Sequence, residues 1–266
     1  MNLNLVNKTA LVTGGSKGIG KGIAAALAAE GASVIICGRG EEALHEAEKE
    51  IKQEGGNVLA IKADLSEQED VDHLISSIIE RYETIDILVN NAGVVSGFDD
   101  FETLEIEDWQ KLFNVNLFGT VRVTKAVIPY MKRAGYGRII NISSESGVQP
   151  DAFMPHYNAS KAALINFTKS LSKAYAKNGI LVNTVSPAFI MTPLLETVLK
   201  ESAQKQNITF NEAVQEFLVN HRPHIEVKRP GTVEEVASAV LYLVSDNASF
   251  INGVNLRVDG GSVASQ

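Results

Sequence analysis

Short apolar runs rich in Val, Ile and Leu recur along this chain, at about 8–13, 33–37, 57–62, 85–90, 137–143, 180–185 and 252–258. Each is continuous rather than alternating with polar residues, the pattern of a strand buried on both faces of a parallel sheet. The stretches between them interleave apolar and charged positions and are read as helices. Ser66-Glu-Gln-Glu69 and Thr232-Val-Glu-Glu235 have the form of capping boxes and mark two helix starts, the second just after Pro230-Gly231. Strand and helix alternate to the end, which predicts an α/β fold: a doubly wound, seven-stranded parallel sheet with helices on both faces and right-handed crossovers. No Pro/Gly/Ser linker, repeat or low-complexity run divides the 266 residues, so a single domain over 1–266 is expected.

Composition narrows the classes. Apolar residues make up 45% of the chain, enough for a substantial core, and the net charge of −8 argues against a nucleic-acid partner. No amino-terminal signal segment or long uncharged stretch is seen, so neither export nor membrane insertion is expected. The single cysteine, Cys37, sits in the second apolar run and has no internal disulfide partner. That fits core packing in a reducing compartment, and a cytoplasmic location is expected.

The chemistry begins with His156-Tyr-Asn-Ala-Ser-Lys161. Four residues on a helix place Tyr157 and Lys161 on one face, an ammonium beside a phenol. A phenol titrates near about 10 in water, so it exchanges protons near neutrality only when its anion is stabilised. Tyr157 is therefore a candidate general acid/base. Upstream, Arg138-Ile-Ile-Asn-Ile-Ser-Ser144 is a strand ending in two hydroxyls. Strand carboxyl ends face the ligand crevice of an open parallel sheet, where Ser144 could meet a substrate oxygen. Ser143 is the competing choice, or a cap of the turn. At the amino terminus the order is strand, glycine turn, helix, with Gly14-Gly-Ser-Lys-Gly18-Ile-Gly20 as the turn. Gly14 permits the tight turn, Gly18 lets backbone approach a pyrophosphate, and Gly20 allows close packing of helix on strand.

Thr13-Gly-x-x-x-Gly18-x-Gly20, Asn90-Asn-Ala-Gly93, Asn116, Ser144 and Tyr157-x-x-x-Lys161 together resemble the short-chain dehydrogenases/reductases, over about Leu5 to Gly261. The resemblance implies a Rossmann-like domain and a set of roles. Tyr157 would protonate a carbonyl as hydride arrives, or deprotonate the alcohol in reverse. Lys161 would lower the phenol's pKa and hold the nicotinamide ribose. Ser144 would polarise the substrate oxygen, and Asn116, not Asn114, would hold a water linking Lys161 to solvent. The glycine turn, Gly14, Ser16, Lys17, Gly18, Ile19 and Gly20, would bind cofactor. Asp64 would accept from the adenine amino group, with Leu65 packing nearby. Asn90, Asn91, Ala92 and Gly93 would line the adenosine side, while Pro187, Ala188 and Thr192 would meet the carboxamide. Relatives usually carry glycine where Ala188 stands, so its methyl could crowd the nicotinamide.

Charge selects the cofactor. The second strand ends Ile36-Cys-Gly38-Arg39-Gly40, with glycine where a ribose-binding carboxylate would stand and Arg39 after it. With Lys17 as a second cation, this predicts NADP(H) over NAD(H). The substrate lid would run over about 190–224, opening at Ile190-Met-Thr-Pro-Leu-Leu195. Val94, Val95, Val148 and Met154 would add apolar surface, and Glu145, Gln149 and His156 polar selection. His221 and His224 have a spacing that can bind metal, but Pro223 interrupts them and no metal is expected. The leading reading is an NADP(H)-dependent ketone/secondary-alcohol oxidoreductase on a small-molecule substrate. A 3-oxoacyl-[acyl-carrier-protein] reductase is the alternative, with Lys132, Arg133 and Arg138 as the basic patch for an acidic partner. A dinucleotide-binding sensor without turnover is the reading from another class. Family resemblance also implies a homotetramer.

Overall fold

Seven strands form one parallel sheet in the order β3-β2-β1-β4-β5-β6-β7. They are β1 (Thr9–Thr13), β2 (Ser33–Gly38), β3 (Asn57–Lys62), β4 (Ile87–Asn90), β5 (Gly137–Ile142), β6 (Ile180–Pro187) and β7 (Asn255–Val258). The computed structural model describes residues 2–95 and 100–264. Between the strands lie α1 (Gly18–Ala29), α2 (Glu41–Gln53), α3 (Gln68–Tyr82), α4 (Ile106–Phe113), α5 (Thr120–Ala134), α6 (Pro155–Tyr175), α7 (Pro193–Gln206), α8 (Phe210–His221) and α9 (Val233–Val244). This is the doubly wound, Rossmann-like domain expected from the sequence. β7 starts three residues later than the apolar pattern implied. Gly253 there has φ +76, and Asn252 Oδ1 accepts from Val182 N at 3.0 Å, so this stretch turns before it pairs.

Alternation along each strand divides the core in two. Ala10 and Val12 face α1 and α9 with Leu27 and Val240, whereas Leu11 faces α3 and α5 with Ile78 and Val127. Both faces are covered, and the strands therefore read as unbroken apolar runs. A chain of buried polar groups crosses the centre. Asn90 Nδ2 donates to Thr124 Oγ1 (3.0 Å) and Asn141 Oδ1 (2.8 Å), and Asn141 Nδ2 donates to Thr168 Oγ1 (2.8 Å). In a low-dielectric interior such a network holds α5 and α6 in fixed register on β4 and β5. A third apolar cluster lies apart: Phe189, Leu199, Val214, Leu218 and Ile225 bind the α7 and α8 hairpin to the end of β6.

One expected capping box forms and one does not. Thr232 Oγ1 accepts from Glu235 N at 3.3 Å while Glu235 Oε2 accepts from Thr232 N at 2.8 Å. Thr232→Ala is expected to lower unfolding stability by about 1 kcal/mol in a urea titration, since it leaves an amide of α9 uncapped; an unchanged midpoint would contradict this. Ser66 instead gives its hydroxyl to Asp64 Oδ1 at 2.7 Å, and α3 begins at Gln68 behind Glu67. The helix starts one residue later than the motif implies, with Glu67 at its N-cap, so the Ser66 hydroxyl does not meet the α3 amides and bonds the carboxylate. Thr209 and Glu212 form a further box at the start of α8, a Thr-x-x-Glu spacing visible in the sequence but not singled out.

Candidate active site

The order of the sheet reverses between β1 and β4, and the crevice at their carboxyl ends gathers most of the candidate residues. Gly14 has φ +64, and a Cβ there would stand 2.9 Å from Ala92 Cα. A Cβ on Gly20 would fall 2.3 Å from the Gly14 carbonyl oxygen, so α1 could not approach the turn with any larger residue. Asn91 holds the turn from the other side: Nδ2 donates to Thr13 O (3.0 Å) and Gly14 O (3.2 Å). Thr13 Oγ1 in turn accepts from the amides of Asn91 and Ala92, each at 3.0 Å. This tether was not evident from the sequence, because it joins residues far apart in the chain.

Lys17 precedes α1 in an extended conformation and no side chain caps the helix. The first amides of α1 therefore open toward the crevice, an arrangement suited to a phosphate. Gly14, Ser16, Lys17, Arg39, Asp64, Leu65, Ala92 and Gly93 line one cleft of about 400 Å³. A second hollow of about 540 Å³ continues past Arg39 along Val94, Lys111 and Asn114. Asp64 accepts from Ser66 N (2.9 Å) and Oγ (2.7 Å). Partial burial works against its ionisation, but the Ser66 hydrogen bonds and the Arg39 cation hold its carboxyl below the usual range. Arg39 and Lys17 are exposed at the rim. A dinucleotide with an extra phosphate on its adenosine ribose fits this donor set: an uncapped helix end, two cations, and no carboxylate at the end of β2. Thr192 caps α7 by accepting from Leu195 N at 3.4 Å, and its Cγ2 would lie 3.5 Å from a Cβ on Gly18. Ile19, in the first turn of α1, packs against the core, and Pro187 ends β6. Ala188 donates its amide to Val258 O at 3.2 Å and packs into the α7 and α8 cluster. Burial pushes the Cys37 thiol up to about 12, so it is an inert core group.

The second group gathers on α6 and the end of β5. Ser143 continues the strand, donating its amide to Val185 O, and its hydroxyl donates to the Lys161 carbonyl at 2.8 Å. It pins α6 rather than capping a turn. Ser144, rather than Ser143, is the serine whose side chain bears on the Tyr157 phenol. Burial pushes the phenol's pKa up; the Ser144 bond and the Arg222 charge draw it down, and Glu145 and Asp151 push it up. The Lys161 ammonium lies 5.6 Å from the Tyr157 ring centroid and donates to Ile142 O at 3.1 Å. Burial pulls the Lys161 pKa down to about 8. Asn116 sits in a π-helical turn (Asn114–Gly119) between α4 and α5, an irregularity frequent at functional sites. Its Oδ1 accepts from Val94 N (2.8 Å), and its Nδ2 donates to Val94 O (3.0 Å) and Ser160 Oγ (3.3 Å). A Cβ on Gly93 would stand 3.4 Å from both Asn116 Oδ1 and Lys161 Nζ, so the cofactor-side loop touches both residues of the second group. Asn114 is engaged elsewhere, its Oδ1 accepting from Arg122 at 2.8 Å.

Glu145 is buried and pairs with Arg222. Gln149 donates to Ser262 O and accepts from Ala264 N. His156 is fully buried, its ring 5.8 Å from that of Trp109. His221 packs against Phe217, and no group of three His, Cys, Asp or Glu that could hold a metal occurs among the described residues. Arg138 is 6% exposed at the amino end of β5, its guanidinium 4.5 Å from the Tyr136 ring. Lys132 and Arg133, at the end of α5, lie toward the same amino-terminal end of the sheet, opposite Ser144. They form no basic patch at the crevice mouth.

The family model described as short chain dehydrogenase matches residues 8–203. The chain is 39% identical over 269 residues to the uncharacterized oxidoreductase YvaG of Bacillus subtilis (strain 168), covering 100% of the chain and 99% of that relative. It is 35% identical to a D-beta-hydroxybutyrate dehydrogenase of Rhizobium meliloti (strain 1021), over 97% of the chain and 100% of the relative. The crystal structure of L-sorbose reductase from Gluconobacter frateurii, complexed with NADPH and L-sorbose, superposes with a TM-score of 0.93 at 33% identity and covers 100% of both chains.

Proposed function

Since this chain belongs to the short-chain dehydrogenase family, we propose that it interconverts a small polar ketone and its secondary alcohol, with Tyr157 moving the proton. It is an oxidoreductase acting on carbonyl and alcohol groups, and its cofactor is NADP(H). The observation that carries the reading is the convergence of Tyr157, Lys161 and Ser144 at the carboxyl end of β5, in a sheet whose glycine turn leads to the uncapped end of α1.

When bound, the cofactor supplies or accepts the hydride. This chain's residues do the rest. The α1 amides, with Gly14, Ser16, Gly18, Ile19 and Gly20, hold the pyrophosphate, and Arg39 and Lys17 take the adenosine-ribose phosphate. Asp64, Leu65, Asn91, Ala92 and Gly93 frame the adenosine, and Pro187, Ala188 and Thr192 bound the nicotinamide end. Ser144 donates to the substrate oxygen and holds it beside the phenol. Tyr157 gives that oxygen its proton during reduction and removes it during oxidation. Lys161 is placed to hold the nicotinamide ribose; burial confines its positive charge to pH below about 8, so it does not by itself bring the phenol's pKa down as the family pattern implies, and Asn116 lends a turn that can seat a relay water. Residues 190–224, the α7 and α8 hairpin with its flanks, act as the substrate lid within a single domain over 1–266.

A small polar substrate is favoured over a carrier-bound acyl chain because Lys132, Arg133 and Arg138 lie at the amino-terminal end of the sheet, away from Ser144. Steady-state NADPH oxidation, with NADH in parallel, over small ketones, sugar keto acids, cyclic ketones and an acetoacetyl thioester tests this. Turnover of a small polar ketone supports it; turnover of the thioester alone favours the acyl-carrier reading, and silence across the panel with NADPH bound favours the sensor. A homotetramer in the cytoplasm is also proposed. Phe118, Phe250 and Tyr242 are exposed aromatic side chains that assembly would cover, and no described helix is long and apolar enough to cross a membrane. Sedimentation at micromolar concentration is expected to give a tetramer; a monomeric boundary would reject it.

A further inference from the structure

Beside the Ser144 and Tyr157 pair, three charged side chains from two separate segments meet. Arg222 closes α8 at the end of the hairpin. Its guanidinium lies 3.0 Å from Asp151 Oδ2 and 3.3 Å from Asp151 Oδ1, with Nε 3.7 Å from Glu145 Oε1. The side chains of Arg222, Glu145 and Asp151 are 17%, 9% and 32% exposed, so this cluster is far from an ordinary solvated pair. A carboxylate withdrawn from water is costly once its cation is removed.

The covalent neighbours of these carboxylates matter more than the pair itself. Glu145 directly follows Ser144. The Asp151 carbonyl accepts from Asn158 Nδ2 at 2.6 Å, and Asn158 directly follows Tyr157. One cation on the hairpin therefore ties down the neighbours of both reacting hydroxyls. We propose that Arg222 is a positioning residue of the reaction: it latches the α7 and α8 hairpin onto the loop after β5, holds the Ser144 and Tyr157 hydroxyls in reacting register, and offsets the two carboxylates beside the phenol. This rests on Tyr157 being the proton donor, as proposed above.

The charges around the phenol come from several elements. Glu145 and Asp151 approach from the loop after β5, Arg222 from the hairpin, and Lys161 from α6 itself, while Asp259 and Ser262 of the carboxyl-terminal segment bear on Glu145. His156, also on α6, is turned toward Trp109 of α4. Removing Arg222 leaves Glu145 and Asp151 uncompensated, so the phenol should titrate at higher pH.

The test uses the full-length Arg222→Gln and Arg222→Lys variants and the double variant Glu145→Gln/Asp151→Asn. Tyr157 titration is read without substrate, as the near-ultraviolet phenolate absorbance that is lost in Tyr157→Phe within each background. Arg222→Gln is expected to shift this titration to higher pH and to lower kcat by about ten- to a hundredfold, the scale of a small misplacement of reacting groups. NADPH affinity should stay within about twofold, because Arg222 lies outside the cofactor cleft. Arg222→Lys should recover much of the loss. Should Arg222→Gln fail to fold, the double variant carries the test: with the carboxylates gone and the cation kept, the phenol should titrate at lower pH. An unmoved titration in these variants, or an Arg222→Gln enzyme with unchanged kcat, overturns the proposal. If no substrate is turned over by the wild type, the titration still decides the role of Arg222, and only the reaction reading falls.

Discussion

Tyr157→Phe is expected to lower kcat for carbonyl reduction by about 10²–10⁴-fold while NADPH still binds, because a positioned proton donor contributes that much and the ring's packing is kept. The variant loses only the hydroxyl. Ser144 keeps its own contact with Ser146 N at 3.2 Å, and Lys161 keeps its bond to Ile142 O, so the crevice is not dismantled. The pH dependence follows from the sign of the shift. Reduction needs the neutral phenol, and burial holds that form to higher pH than in water. The wild-type reduction rate should therefore be flat through neutrality and fall on the alkaline side, while the oxidation rate rises there. In Tyr157→Phe the limb due to the phenol should disappear, leaving in any residual rate only the titration of Lys161 near pH 8. Steady-state kinetics over a pH series, with NADPH affinity from fluorescence quenching, check this together; retained turnover in the variant would remove Tyr157 from the mechanism.

The second large effect concerns cofactor choice. Arg39→Asp is expected to shift the NADPH to NADH ratio of kcat/KM by about ten- to a hundredfold toward NADH. A hydrogen bond to a charged group is worth about 1.5–3 kcal/mol, and each 1.4 kcal/mol is tenfold. The new carboxylate would also stand where an unphosphorylated ribose can donate to it. Arg39 is exposed at the cleft rim, so folding should be untouched. An unchanged ratio would show that Lys17 or the α1 end alone holds the phosphate.

Much of this was legible in the sequence for a physical reason. Strands buried on both faces announce themselves as unbroken apolar runs, and the seven runs correspond to the seven strands of the sheet. The glycine turn was legible because Gly14 and Gly20 are required by backbone approach, which no other residue satisfies. The choice between Ser143 and Ser144 was not. It depends on where β5 stops: Ser143 is still in the ladder to β6 and points with Asn141 toward α6, leaving Ser144 as the first residue free to meet Tyr157. The failed Ser66 box shows the limit of a local motif, since α3 starts one residue later than the motif implies and the hydroxyl is left to Asp64. Arg222 was invisible because its partners Asp151 and Glu145 lie far upstream, and only the fold of the hairpin brings them together. Lys161 is a subtler case. The spacing places it beside Tyr157, but its burial and its bond to a strand carbonyl decide how its charge is used.

The central claim is that hydride passes to a substrate carbonyl held at Ser144 and Tyr157. The direct measurement is a reduction with NADPH deuterated at its transferable position, followed by mass spectrometry of the product alcohol from wild-type and Tyr157→Phe enzyme. Deuterium on the carbinol carbon with the wild type, and its near absence over the same time with the variant, is the predicted result. Label appearing equally with both enzymes, or no labelled alcohol from any carbonyl despite bound NADPH, would contradict it.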